Sequence, residues 1–159
     1  DKSNSQIIKF KQNLKRLGLN IKIQKKDFLK LTKNQNIPSI LLDAPCSALG
    51  TFRRNPDVAS KINQSKLKRN QKIQIQMLDK AINILDENGI IVYIVCSFHP
   101  FETINVIDKI AQKHKNIRTL SLDSDKMIKR QNGYFINPLK FKDLGGSDIF
   151  FVSVLEKTK

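Results

Sequence analysis

Tryptophan is absent from these 159 residues, cysteine occurs twice, and glycine only six times. Each scarcity removes a class of explanation. Two cysteines, Cys46 and Cys96, cannot build the disulfide framework that holds small secreted domains together. They leave a lone structural bridge, a pair of inert core thiols, or reactive thiols. His99 and His114 are scattered and lack the paired spacing of a zinc site, so no metal is expected. None of the glycines at 18, 50, 89, 133, 145 and 146 falls in a phosphate-loop or dinucleotide fingerprint. The longest apolar stretch runs only from Ile90 to Val95, far short of the roughly 20 residues that cross a bilayer. No signal-peptide pattern opens the chain, and a soluble, cytoplasmic protein without a membrane partner is the expectation. Acidic residues are scarce too: 14 Asp+Glu against 29 Lys+Arg leave a formal net charge of +15. Such an excess suits polyanionic partners, because neutralising phosphates releases condensed counterions. The crowding of Lys, Asn and Ile is also what a low-GC genome would impose, and charge alone does not separate the two.

The length fits one domain with a real core. Ser3 is placed to cap a helix whose apolar residues Ile7, Phe10, Leu14 and Leu17 recur at helical spacing, and Gly18 stands where a left-handed stop is expected. Ile21 and Ile23 alternate with polar residues, which predicts a short strand ending near Asp27. Residues 38–46 read as a buried parallel strand with a polar tip at its carboxyl end. Residues 51–65 read as a basic, polar loop. A helix is predicted over 66–85, with Ile73, Met77, Leu78, Ala81, Ile82 and Leu85 on one face, stopped by Asn88-Gly89. Residues 90–95 form the clearest strand, apolar on both faces. Pro100 starts a further helix striped by Ile104, Ile107, Ile110 and Ala111, and residues 148–155 read as a final strand. Alternating strands and helices predict an α/β domain around a mostly parallel sheet. In such sheets functional groups gather at the carboxyl ends of strands, and Asp27, Asp43, Cys46 and Cys96 all fall at predicted strand ends. A thiol there, beside cations such as Arg53 and Arg54, can be held partly as the nucleophilic thiolate.

Residues 41–57, from Leu41-Leu42-Asp43-Ala44-Pro45-Cys46-Ser47 through Gly50 to Arg53-Arg54-Asn55-Pro56-Asp57, carry a resemblance. They are similar to the Asp-Ala-Pro-Cys-Ser signature of the Sun/Fmu (RsmB-type) RNA cytosine carbon-5 methyltransferase family. Val92-Tyr93-Ile94-Val95-Cys96-Ser97, then Pro100 and Glu102, resembles its second signature, Tyr-x-Thr-Cys-Ser followed by Pro-x-Glu-Asn. Asn13 to Gly18 resembles the helix after the family's second strand. Val95 stands in place of the usual Thr, Thr103 in place of the Asn, and Ser147-Asp148-Ile149-Phe150-Phe151 where Asp-Gly-Phe-Phe is common.

The resemblance implies a class I S-adenosylmethionine-dependent methyltransferase (Rossmann-like) α/β sheet, incomplete at the N-terminus. Residues 1–159 would be a partial catalytic domain, its first strand and glycine-rich cofactor loop lying upstream of Asp1. It implies methylation of cytosine carbon 5 in RNA, with ribosomal RNA the foremost substrate class and S-adenosylmethionine the methyl donor. Cys96 is then the nucleophile and Cys46 the group that releases the adduct. A DNA enzyme would instead use the Pro-Cys thiol, and the second cysteine at a strand end favours RNA. Asp1 matches the acidic residue that would hold the cofactor's ribose, Asp27 the one near its adenine amino group, and Asp43 the one between cofactor and cytosine edge. Arg53, Arg54, Lys66, Lys68 and Arg69 are candidates for holding RNA while the target base leaves its stack. Phe52 and Phe98 are candidates for stacking, although such aromatics are more often packing residues. Two alternatives stay open: an inactive RNA-binding remnant of such an enzyme, and a transfer RNA cytosine methyltransferase.

Overall fold

The computed structural model describes residues 2–32 and 36–159. The chain divides into two compact units, residues 1–34 and 35–159.

In the first unit, α1 (Asn4–Leu17) forms where the periodicity placed it, with Leu14 its buried residue. Ser3 holds the N-cap position, but its hydroxyl meets Ser5 Oγ at 2.9 Å and makes no capping bond to the helix backbone. Gly18 ends the helix at φ 66°, and the N–H of Leu19 returns to the Leu14 carbonyl at 2.9 Å. The strand expected at Ile21 and Ile23 does not form. A strand needs a partner ladder, and no described segment pairs with this one. Asp27 is therefore not at a strand end. Its carboxylate accepts the Leu29 N–H at 3.1 Å and caps a 3-10 turn over Phe28–Lys30.

The second unit holds a six-stranded sheet: β1 (Ser39–Asp43), β2 (Ile90–Val95), β3 (Ile117–Thr119), β4 (Met127–Arg130), β5 (Gly133–Ile136) and β6 (Phe151–Lys157). Their order is β1-β2-β6-β5-β4, with β3 also on β6. β1 and β2 are parallel, whereas the pairings of β2, β3 and β5 with β6, and of β4 with β5, are antiparallel. The expectation of a mostly parallel sheet is corrected for these residues. The carboxyl-terminal segment returns beside β2 and hairpins through β4 and β5 rather than crossing over a helix. β6, flanked on both sides, is buried from Phe151 to Leu155.

α2 (Gln64–Ile84) and α3 (Ile104–Lys113) supply the helical layer. Leu78, Ala81, Ile107 and Ile110 on the helices, and Ile91, Tyr93 and Val95 on β2, are fully covered. Ile90, Val92 and Ile94 are half-buried, so the two faces of β2 are unequal. Lys157 closes α2, its Nζ 3.0 Å from the carbonyls of Ile82 and Leu85, a cation at the negative end of a helix. No described helix is long and apolar enough to cross a membrane.

Candidate active site

β1 and β2 run side by side, Asp43 opposite Ile94, so the loops leaving the two strands emerge at the same place. The Ala44 N–H extends the ladder to the Ile94 carbonyl at 3.1 Å, and Gln74 of α2 donates to the Pro45 carbonyl at 2.9 Å. The chain then turns through Ala48 at φ 62°, a conformation uncommon for a side chain with a Cβ. At the end of β2, Ser97 and His99 curl the backbone into the Pro100–Glu102 turn, with the Phe101 N–H donating to His99 Nδ1 at 3.2 Å. His99 thus serves the turn.

These loops place the sulfurs of Cys46 and Cys96 3.3 Å apart, both as free thiols. That distance is a hydrogen bond, and it divides the pair. Cys96 is lowered from its ordinary value to about 7, chiefly because it accepts the Cys46 hydrogen bond, with burial and the charges of Asp43 and Asp148 opposing. Cys46 is driven far up, first by that same hydrogen bond, then by burial, with the Glu102 charge adding to it. The hydrogen bond between the thiols favours a thiolate on Cys96 and disfavours one on Cys46.

The cationic surroundings expected from Arg53 and Arg54 are not what lowers Cys96. Arg54 Nε pairs with Asp148 Oδ2 at 2.7 Å, and Arg53 lies alongside Gly146. Both belong instead to a brace between the loop after β1 and the segment before β6. Gly50 completes that brace: its N–H donates to the Cys96 carbonyl and its carbonyl accepts the Ile149 N–H, both at 2.9 Å. A Cβ on Gly50 would lie 1.9 Å from the Ile149 carbonyl oxygen, so only glycine fits there.

Glu102 lies beneath the cysteines. Its carboxylate is fully buried. One oxygen accepts the Ser47 N–H and the Asn70 side-chain amide, each at 2.8 Å. The other accepts the hydroxyls of Ser47 at 2.5 Å and Ser97 at 2.6 Å. Reading the sequence missed Glu102, Asn70 and Gln74 as site residues. The available signal was polarity out of place: Asn70, Gln71 and Gln74 share the buried stripe of α2 with Leu67 and Leu78.

Asp43 stands exposed at the carboxyl end of β1. Asp27 belongs to the first unit, its second oxygen 4.0 Å from Lys2 Nζ. Asp1 lies outside the described residues. Lys68 and Arg69 are exposed on α2, while Lys66 is half-buried with Nζ 3.4 Å from the Lys61 carbonyl. Phe52 and Phe98 are about half exposed, 50% and 45%, and are not core packing residues.

Among curated proteins, the chain is 30% identical over 160 residues to ribosomal RNA small subunit methyltransferase B of Photorhabdus laumondii, covering 99% of this chain and 35% of that one. It is 27% identical to the protein of the same name from Thermus thermophilus, covering 90% and 35%. The chain spans about a third of the length of these relatives. Among solved structures it superposes on NSun6 from Pyrococcus horikoshii, solved with SFG, at TM-score 0.81 and 26% identity, over 100% of this chain and 40% of that one. It superposes on a methyltransferase homologue from the same organism at TM-score 0.78 and 25% identity, over 99% and 52%. The fold is that of the class I S-adenosylmethionine-dependent methyltransferases. The model of the family described as 16S rRNA methyltransferase RsmB/F matches residues 1–156, and the chain belongs to that family.

Proposed function

We propose that this chain is the carboxy-terminal part of the catalytic domain of a cytoplasmic enzyme that methylates carbon 5 of cytosine in ribosomal RNA, with Cys96 as nucleophile and Cys46 as its partner. The observation that carries the proposal is the 3.3 Å pair of free thiols at the ends of two adjacent parallel strands, with Cys96 lowered to about 7. Carbon 5 of cytosine is a poor nucleophile. Addition of the Cys96 thiolate to carbon 6 forms a carbon–sulfur bond and pushes the electron pair to carbon 5, which can then be alkylated. Loss of the carbon 5 proton afterwards lets the carbon–sulfur bond break and returns the thiolate. Cys46 is assigned to that release: once Cys96 is bonded to carbon 6, Cys46 gives its own proton to water and, as a thiolate, takes the carbon 5 proton while Cys96 leaves as a thiolate, so that one proton is lost per turnover.

S-adenosylmethionine, when bound, would supply the methyl group as an electrophile on its sulfonium. Its use is supported by the likeness to a structure solved with SFG, an analogue of that cofactor. The exposed Asp43 carboxylate, at the carboxyl end of a parallel strand, fits a polar ligand there. Asp27, with Asp1 outside the described residues, is the further candidate for holding the cofactor. Ribosomal RNA is favoured over other RNA by the names of the curated relatives, and the net charge of +15 suits either. The test is product identity. The protein, expressed with the whole of its reading frame, is incubated with small-subunit ribosomal RNA and isotopically labelled cofactor. Digestion should yield labelled 5-methylcytidine, whereas label on a ribose or another base would overturn the proposal.

A further inference from the structure

We propose that Glu102 is the positioning residue of the two-cysteine site, joining the loops that carry Cys46 and Cys96 and setting which of the two thiols is the more reactive. This rests on the reading of Cys96 as nucleophile and deepens it. The carboxylate takes two donors on each oxygen, which fills its acceptor capacity. Three of those donors come from the serines that directly follow the two cysteines, Ser47 and Ser97, and the fourth from Asn70 of α2. One side chain therefore ties the end of β1, the end of β2 and a core helix to a common point. Glu102 is itself held from behind. Tyr93, fully buried on β2, donates its hydroxyl to the Glu102 carbonyl at 2.8 Å, and Thr103 Oγ1 bonds the His99 carbonyl at 3.0 Å.

A buried negative charge does more than hold loops. Three carboxylates act on the thiol pair: Asp43 and Asp148 on Cys96, and Glu102 on Cys46. Asp43 is exposed and Asp148 is paired with Arg54, so water and a cation weaken both. Glu102 is fully buried, its hydrogen-bond partners among the described residues are serine and asparagine donors, and its charge adds to the hydrogen bond and the burial that raise Cys46. A negative charge beneath Cys46 disfavours a thiolate there and leaves ionisation to Cys96.

Glu102→Gln separates charge from packing. The amide is nearly isosteric, its oxygen can accept from the Ser47 N–H and Asn70, and the two serine hydroxyls can rotate to accept from its NH2. The fold should survive, as circular dichroism would check, while the charge is gone. Each cysteine is alkylated with iodoacetamide across the neutral pH range and quantified by peptide mass spectrometry. In the unaltered chain Cys96 should react faster. In Glu102→Gln the ratio of Cys96 to Cys46 labelling should fall by about tenfold, the equivalent of one unit of relative acidity. Glu102→Asp keeps the charge but withdraws it from the serines, and should lower the ratio by a smaller factor; it carries the test if the amide variant does not fold. An unchanged ratio in a folded variant, or both rates rising together as in simple loosening, overturns the role of Glu102. Faster labelling of Cys46 in the unaltered chain would instead overturn the nucleophile assignment beneath it.

Discussion

Cys46 and Cys96 are 3.3 Å apart at sulfur, so the state of one settles the state of the other. If Cys96 titrates near 7, its alkylation and any methyl transfer should rise as pH increases through neutrality and level off above it, because the thiolate is the reactive form. Cys46 should stay slow over that range, since its acidity is pushed the other way by the bond to Cys96. A pH-resolved alkylation series measures both. Gly50 gives a second expectation at this scale. Gly50→Ala places a Cβ 1.9 Å from the Ile149 carbonyl oxygen, and overpacking of this kind costs about 1–3 kcal/mol, measurable by urea denaturation. It should also disturb the cysteine pair, because Gly50 is bonded to the Cys96 carbonyl. The cysteines and Asp43 were legible in the sequence because each succeeds or ends a strong apolar run. Glu102 was legible as part of the second signature but its role was not: its place under the site depends on a turn after β2 that folds it back onto Ser47, 55 positions earlier in the chain.

Elements differ in how plainly their residues announce them. β1, β2, α1 and α2 formed within a few residues of expectation, because each has a strong apolar period or run, but β1 is not the buried strand expected, with Leu41 exposed, and Ile8, Phe10 and Leu17 of α1 are exposed too. The hairpin of β4 and β5 went unread although Asn132-Gly133 is a turn signal. β4, Met-Ile-Lys-Arg, is largely exposed at the end of the sheet, and so carries almost no apolar alternation. β3 is three residues long and two of them are exposed. The segment at Ile21 and Ile23 shows the converse: alternation without a partner did not make a strand. α2 matters most to the site, because Asn70 and Gln74 hold the cysteine loops while Leu78 and Ala81 anchor the same helix in the core. Leu78→Ala, at a fully covered position, should destabilise the fold by about 2–5 kcal/mol. The same change at exposed Leu139, which is 76% accessible, should shift the denaturation midpoint hardly at all.

For the whole molecule, the excess of 15 positive charges and the exposed Arg53, Lys68 and Arg69 should make RNA affinity fall steeply with salt, with a log–log slope of about 0.7 per phosphate neutralised on a single strand. Reversing the charge of Lys68 and Arg69 should reduce that slope without touching the cysteine loops. A slope that does not change would assign the basic composition to genome bias instead. The chain belongs to the RsmB/F family, and the function proposed for its thiol pair passes through a covalent intermediate that can be trapped. The protein, expressed with its whole reading frame, is incubated with small-subunit ribosomal RNA and S-adenosylmethionine, then run on a denaturing gel. Cys46→Ala should accumulate a protein–RNA adduct, because addition survives and release fails. Cys96→Ala should show no adduct and no methylation. An adduct formed by Cys96→Ala, or trapped equally by neither variant, would contradict the assignment of Cys96 as nucleophile.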